Sequence, residues 1–337
     1  IRSRGSMADV ERIAPDVWRI DLPLPFRLRS INVYLVRGED GWALVDTGID
    51  TPDSREAFFG ALGSIGIEQT AIRDVYVTHM HPDHIGLSGM HGATGATIHL
   101  MRDEAPRARY VWSAQPLDRW IGYFRSHGLE ETNASSVTEA AAKLRKAVTL
   151  PDRFAALDEG DAVRLGDRTV RVVWTPGHSD FHYVLVDDDA RVIFAGDHLL
   201  PTITPNIGLY PECRPNPLDD YFKSFARFER LGDYTVYPAH GMPYAALPDR
   251  IRQLILHHRE RLQGVWDCVV ARPGGASSAD IVAHFWGDRL NAHEARFALV
   301  EVAAHLEYLR LAGDLSLSVD DGVIRYRTKS AAPTLPV

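Results

Sequence analysis

The chain has 337 residues, 45% of them hydrophobic, which indicates a folded protein with one large core and a smaller one and excludes a disordered chain. Its net charge of −8 provides no general attraction for nucleic acid or for an anionic membrane. Its two cysteines, Cys213 and Cys268, are not spaced as in a disulfide framework or a thiolate metal site, and no apolar run reaches the roughly 18 residues of a membrane span. These features predict a cytoplasmic protein, and residues 1–6, which precede Met7, look like a vector remnant.

The first predicted elements are strands, followed by a helix from Pro52. Strand-like runs lie at 17–22, 31–36 and 42–45. The loop between the first two carries Arg27 and Arg29, which are candidates to bind a carboxylate or phosphate of a substrate, although exposed loop arginines usually contact only solvent. Asp46, just after the third strand, is either a turn residue or a side chain that steadies a metal-binding histidine.

A dense group of candidate metal ligands follows the next apolar strand, namely His79, His81, Asp83 and His84. Because successive side chains of an extended segment point to opposite faces, His79 and His81 point the same way and can share one cation. Pro82 keeps His81 extended and suits the first turn of a helix, so Asp83 and His84 face in another direction and offer a second cation site.

After a short strand at 97–100, residues 101–150 are mostly helical in pattern and are interpreted as an inserted cap. Aromatic residues are frequent there, at Tyr110, Trp112, Trp120, Tyr123 and Phe124. The cap is either a lid that lines a substrate cleft or an ordinary helical pair that packs its apolar face on the rest of the fold.

Strands are predicted again in the second half, at 162–165, 169–174, 183–186 and 191–195. Three more candidate ligands, His178, Asp197 and His240, follow strands, and a lone carboxylate such as Asp197 after a buried strand is costly without a partner. Tyr210, in the proline-rich loop after Asp197, is a candidate donor to a substrate oxyanion or else a buried aromatic anchor. His182, four residues after His178, either supports the metal ligands or is an ordinary strand residue, and the second interpretation is favoured.

Residues 247–330 are predicted to form a small winged-helix-like domain, followed by a tail at 331–337. Helices are expected at 247–265, from 278 and at 292–312, and a hairpin with an Asp-Asp-Gly turn at 315–326. This segment has 11 basic and 11 acidic residues, so it lacks the basic surface of a nucleic-acid binder. A packing role or a homodimer contact is expected instead.

The order His-x-His-x-Asp-His, then His, Asp and His, resembles the signature of the metallo-β-lactamase superfamily over roughly residues 17–242. The resemblance implies an α/β fold of layered α+β type, an αβ/βα sandwich that forms the catalytic domain at 7–246. It also implies the ligands of two metals, which are His79, His81 and His178 for one, Asp83, His84 and His240 for the other, and Asp197 as the bridge. One branch of the superfamily with a C-terminal winged helix includes thioesterases and an endoribonuclease, so the C-terminal domain does not select the chemistry.

Imidazole and carboxylate ligands without thiolates suit zinc, with iron or manganese as alternatives. Two such divalent ions can hold a bridging hydroxide as the nucleophile and polarise the substrate oxygen. Asp83 would orient this hydroxide, so Asp83, Asp197 and Tyr210 are the candidate catalytic residues.

These features predict a dinuclear metal-dependent hydrolase that cleaves an activated acyl bond of a small hydrophobic or aromatic substrate. A thioester is favoured, because a thiolate with a pKa near 8.5 leaves without much acid assistance, and a lactone or ester comes next. The alternative is a phosphodiesterase or endoribonuclease that uses the same metals. A metal-free scaffold protein is disfavoured by the complete ligand set.

Overall fold

The computed structural model describes residues 9–114 and 116–336, and the predicted vector remnant at residues 1–6 lies outside them. Two β-sheets pack face to face, and helices cover both outer faces. This arrangement confirms the predicted αβ/βα sandwich. No helix in the described ranges is both long enough and apolar enough to cross a membrane.

The first sheet has seven strands that lie side by side in chain order. They are β1 (Asp9–Ala14), β2 (Val17–Pro23), β3 (Ser30–Gly38), β4 (Gly41–Val45), β5 (Ile72–Tyr76), β6 (Thr97–Met101) and β7 (Ala155–Leu157). Neighbours are antiparallel from β1 to β4 and parallel from β4 to β7. Neither β1 nor β7 was predicted, because β1 buries no side chain fully and β7 has three residues, too few for a recognisable alternation.

The second sheet repeats this change from antiparallel to parallel pairing. Its strands are β8 (Ala162–Leu165), β9 (Arg168–Trp174), β10 (Tyr183–Asp187), β11 (Val192–Gly196) and β12 (Thr235–Pro238). They pair antiparallel from β8 to β11, and β12 adds to β11 in parallel. The loops that leave β5, β9, β11 and β12 meet at one edge of the sandwich, where they carry the candidate ligands.

Ten α-helices are present in residues 9–114 and 116–336. They are α1 (Pro52–Ile65), α2 (Pro82–Ile85), α3 (Ser88–Ala93), α4 (Glu104–Arg109), α5 (Leu117–Ser126), α6 (Glu131–Leu144), α7 (Pro217–Ser224), α8 (Leu247–Val270), α9 (Ser278–Trp286) and α10 (Ala292–Leu311). Helix α1 begins at Pro52 as expected, because the Thr51 side chain accepts a hydrogen bond from the Ser54 backbone N–H and caps the first turn. Helices α4 to α6 belong to the predicted cap.

The C-terminal segment folds as three helices, α8 to α10, and a hairpin of β13 (Leu315–Asp320) and β14 (Val323–Thr328). Asp321 and Gly322 form the turn with φ angles of +50° and +80°, as a two-residue hairpin turn of this twist requires. A single bridge between Ala276 and Tyr326 joins the hairpin to the start of α9. The winged-helix-like arrangement predicted from the sequence is thus confirmed.

Three apolar cores hold the layers together. Between the sheets, the rings of Tyr34, Phe194 and Tyr237 contact one another. A second core joins the first sheet to its outer helices. The third combines the second sheet, the cap and the C-terminal helices, with Phe124 and Leu306 among its fully buried members. The cap and the C-terminal domain therefore share one core, and α6 packs against α10.

Candidate metal centre

His79, His81 and His178 form the first group of ligands. The loop after β5 carries His79, and His81 directly precedes α2, where Pro82 occupies the first helical position. The His81 Nδ1 atom lies 2.9 Å from His79 Nε2 and 2.8 Å from Nε2 of His178, which follows β9. These imidazole nitrogens therefore face one point, where a single cation would fit.

Asp83, His84 and His240 form the second group. Asp83 and His84 lie in α2, the helix that begins at Pro82, and their ligand atoms form a group with that of His240. One Asp83 oxygen lies 3.9 Å from His84 Nε2 and 3.5 Å from Nε2 of His240, which follows β12. The separate ligand group expected after Pro82 is present.

Asp197, directly after β11, lies between the two groups. Its Oδ2 is 3.2 Å from His178 Nε2, and its Oδ1 is 3.4 Å from His84 Nε2 and 3.3 Å from His240 Nε2. The preceding Gly196 allows this approach, because its φ is +49° and a Cβ atom there would lie 2.6 Å from His182 Nε2.

The donor atoms fit divalent cations. His84 Nε2, His240 Nε2 and Asp197 Oδ1 are inaccessible and have no hydrogen-bond partner among the described residues. Buried polar atoms are rarely left in that state, and here the unpartnered atoms belong to residue types that bind metals. Burial and neighbouring imidazoles lower the pKa of His79 and His81 well below 6.5, so their rings are neutral and present lone pairs.

Asp197 stays ionised in this buried position. Burial acts to raise its pKa, but the charges of His240 and His84 outweigh burial and hold the pKa of Asp197 well below 3.8. A carboxylate that is charged, buried and close to both ligand groups suits a position between two cations.

Contacts from outside the ligand set orient the ligands. Asp46, which has a φ of +59°, accepts hydrogen bonds from the His84 Nδ1 and the Thr78 backbone N–H, both at 2.8 Å. His178 Nδ1 donates to the Asn206 carbonyl, and His240 Nδ1 donates to a carbonyl of β3, again at 2.8 Å. Since a carbonyl can only accept, these contacts place the proton on Nδ1 and leave Nε2 free for a metal.

Two further residues contribute to the site, although the sequence favoured a plain strand role for His182 and indicated no role for Glu104. His182 is not an ordinary strand residue, because it precedes β10 and its Nε2 accepts a hydrogen bond from the Asp197 backbone N–H at 3.2 Å. The fully buried Glu104 accepts hydrogen bonds from the Met80 backbone N–H at 3.0 Å and from the Ser179 hydroxyl at 2.5 Å. Glu104 thereby links the two loops that carry the first ligand group. A single glutamate at a helix start carries no sequence signal for that role.

A cavity of about 370 Å³ opens beside the ligands and is lined by His81, Asp83, His178, Asp197 and His240. The cap contributes Val111, Trp112, Leu117 and Trp120 to its wall, and α10 contributes His293, Arg296 and Phe297. The cap thus lines the cavity and also packs into the core, so the two interpretations of the cap are compatible.

The candidate substrate-binding residues lie at different depths. Arg27 lines the cavity mouth but is 87% exposed and pairs with Glu294 of α10 at 3.2 Å. Arg29 is exposed and is not among the described residues that line the cavity. Tyr210 lines the wall, where its ring centroid lies 5.6 Å from that of Trp120, and burial raises its pKa.

Comparison with known proteins assigns the sandwich and the C-terminal domain to matching protein families. Residues 26–240 match the family model of the Metallo-beta-lactamase superfamily, and residues 262–329 match that of the metallo-beta-lactamase-like C-terminal domain. The chain is similar to a beta-lactamase domain protein of Burkholderia ambifaria, with 34% identity, a TM-score of 0.84 and coverage of 98% of this chain and 96% of the other.

Two curated relatives are more distant but match over most of their length. The "Probable metallo-hydrolase YqjP" of Bacillus subtilis is 25% identical over 93% of this chain and 98% of its own. The "Atrochrysone carboxyl ACP thioesterase" of Claviceps purpurea is 24% identical over 93% of this chain and 86% of its own.

Proposed function

This chain belongs to the metallo-beta-lactamase superfamily, and membership implies that it binds divalent metal ions. On that premise we propose that it is a dinuclear zinc hydrolase that cleaves thioesters of hydrophobic or aromatic acyl groups. The observation that carries the proposal is the convergence of seven metal-ligand side chains beside a cavity with an apolar wall. His79, His81 and His178 would hold one ion, Asp83, His84 and His240 the other, and Asp197 both.

When bound, the two ions would polarise the substrate carbonyl and lower the pKa of a water molecule toward about 7. The chain positions both reactants. Asp83 lines the cavity and would accept a hydrogen bond from the attacking water, which aims it at the acyl carbon. Tyr210, in the loop that follows Asp197, would contact the acyl group through its ring, which packs on Trp120.

The cavity supports an apolar acyl group. Large hydrophobic side chains at its mouth are more than a third exposed, namely Leu28 at 39%, Leu117 at 38% and Ile203 at 44%. Exposed apolar side chains gathered around a cavity favour an apolar ligand. A thioester is the favoured bond because its thiolate leaves without a strong general acid, and one relative bears the name of a thioesterase.

Steady-state hydrolysis by protein of known metal content tests the proposal. The panel comprises acetyl-, octanoyl- and benzoyl-CoA, an acyl-homoserine lactone and a phosphodiester reporter. We expect octanoyl- and benzoyl-CoA to be the best substrates, and Asp197→Asn to lower their kcat/KM by more than about 100-fold. Turnover of the phosphodiester alone would contradict the proposal, and a preference for the lactone would replace the thioester.

A further inference from the structure

Arg296 is a buried arginine in the cavity wall that has no ion-pair or hydrogen-bond partner among the residues that the structure describes. It lies in the second turn of α10, in the C-terminal domain, and is 9% exposed. Its Nε atom is inaccessible and makes no hydrogen bond, and no carboxylate or other acceptor of residues 9–114 and 116–336 pairs with its guanidinium group. The ring of Phe297 packs against it, with the ring centroid 4.3 Å from the guanidinium carbon.

Other arginines of the same cavity have partners. Arg27 pairs with Glu294 at 3.2 Å, and Arg107 forms a close ion pair with Asp180. A buried charge without a counterion is costly to the fold, and proteins retain such groups mainly where a ligand supplies the missing charge. Arg296 therefore differs from the cavity arginines that serve structural ion pairs.

The shape and charge of the Arg296 side chain indicate which chemical group of a ligand it binds. A guanidinium group presents N–H donors in a planar fork that matches the two oxygens of a carboxylate. A carboxylate carries one negative charge, which balances the single charge of Arg296. The neighbouring wall is aromatic, with Phe297 and Trp120, and suits a ring or chain that carries the carboxylate.

The position of Arg296 relative to the metal centre is fixed through Asn206. The carbonyl of Asn206 accepts the hydrogen bond from His178 Nδ1 at 2.8 Å. The side-chain amide of Asn206 donates to the Phe297 carbonyl at 3.2 Å and to the partly buried Glu301 carboxylate at 3.0 Å, both in α10. One residue thus ties a metal ligand to the helix that carries Arg296, so the distance between the two is set by the fold.

We propose that Arg296 binds a free carboxylate on the acyl part of the substrate, at a fixed distance from the carbonyl that is cleaved. The preferred substrates are then thioesters of apolar, aromatic acids with a second carboxyl group. This inference rests on the proposed function, because it assumes that the cavity holds the acyl group of a thioester.

The test compares N-acetylcysteamine thioesters of benzoic acid and isophthalic acid, which carry no phosphate, on metal-loaded wild type, Arg296→Met and Arg252→Met. Arg252 is an exposed arginine of α8 and serves as the matched control. We expect wild type to prefer the carboxylated thioester, and Arg296→Met to lose about 10- to 100-fold in kcat/KM for it but less than about threefold for the benzoyl thioester. Arg252→Met should behave as wild type.

Binding provides a readout that does not require turnover. Calorimetry should show that wild type binds isophthalate about 10- to 100-fold more tightly than benzoate, and that Arg296→Met removes the difference. Because the variant loses an unpaired buried charge, its melting temperature without ligand should equal or exceed that of wild type. A melting temperature of Arg296→Met below that of wild type would mean that Arg296 acts as a structural residue, and it would overturn the proposal.

The failures are distinguishable. If thioesters are hydrolysed but Arg296→Met keeps the wild-type ratio between the two substrates, the carboxylate site is wrong and the proposed function stands. If no thioester is hydrolysed while isophthalate binding still depends on Arg296, the carboxylate site stands and the thioesterase assignment is wrong. The CoA thioesters of the same two acids are assayed in parallel on the same variants, and an effect seen only with them would assign Arg296 to a phosphate of the carrier and overturn the proposal.

Discussion

Two regions border the cavity and are built in different ways: the edge of the sandwich that carries the candidate metal ligands, called the ligand edge, and the cavity wall. The ligand edge, defined by the seven candidate metal ligands, consists of loops that leave the strands of two rigid sheets, and its histidines are hydrogen-bonded on the side away from the cavity. Much of the cavity wall consists of side chains from α5, α6 and α10, which belong to the cap and the C-terminal domain, and loops contribute the rest. We therefore expect the residues held by the sheets to set the reaction class and the cavity wall to select the substrate.

Exposure separates the two regions further. His79 and His84 are completely buried, whereas Leu117 in the wall is 38% exposed. Changes at the ligand edge should therefore affect metal binding and all substrates alike. Changes in the wall should discriminate between substrates and leave the metals in place.

The largest effect among variants outside the ligand set is expected for Asp46→Ala. It removes the acceptor of the His84 Nδ1 proton, so the imidazole loses its fixed orientation, and affinity for zinc should fall by about 10- to 100-fold in a chelator competition assay. Asp74→Ala is the matched control, because Asp74 contacts His99 at the same 2.8 Å in another part of the first sheet. Equal loss of zinc affinity in both variants would mean that Asp46 has no specific role at the ligand edge.

A smaller and selective effect is expected for Leu117→Ser in the cavity wall. Loss of apolar contact should lower kcat/KM for octanoyl-CoA by about three- to tenfold and leave acetyl-CoA nearly unchanged, since each methylene that is no longer buried costs about 0.8 kcal/mol. Phe59→Ser on α1 is the control, because Phe59 is similarly exposed at 43% and lies outside the cavity lining. The wall assignment fails if both substrates slow equally or if the control shows the same selectivity.

The smallest effect concerns the contact between the cap and the C-terminal domain. His127, at the end of α5, is buried with its Nδ1 2.9 Å from the Ser278 hydroxyl, and burial lowers its pKa from 6.5 to about 4. Because the unfolded chain takes up this proton first, His127 lowers stability progressively as the pH falls from about 6.5 to 4.

His127→Gln cannot take up that proton. The melting temperature of wild type relative to this variant should therefore drop by about 1–3 °C between pH 7.5 and pH 5. His284→Gln, at an exposed position of α9, should show a constant difference from wild type. A constant difference for His127→Gln as well would remove His127 from the pH dependence of this contact.

The sequence, through its resemblance to the superfamily, predicted the sandwich and the seven residues that converge at the ligand edge. Four of these residues also have a local signal, because alternation places His79 and His81 on one face, and Pro82 starts the helix that carries Asp83 and His84. The strands that the sequence did not reveal, β1 and β7, lie at the sheet edge and lack a buried alternating pattern.

The tertiary structure alone decided which distant groups support the ligands and shape the cavity. Glu104, Asn206 and Arg296 come from the cap, a loop and the C-terminal domain, and none has a local motif that marks its role. Their roles depend on contacts between segments far apart in the chain, some through backbone carbonyls, which every residue has. Short-range spacing therefore marks four of the seven candidate metal ligands, whereas the cavity wall is a product of packing, which a single sequence does not encode in any one segment.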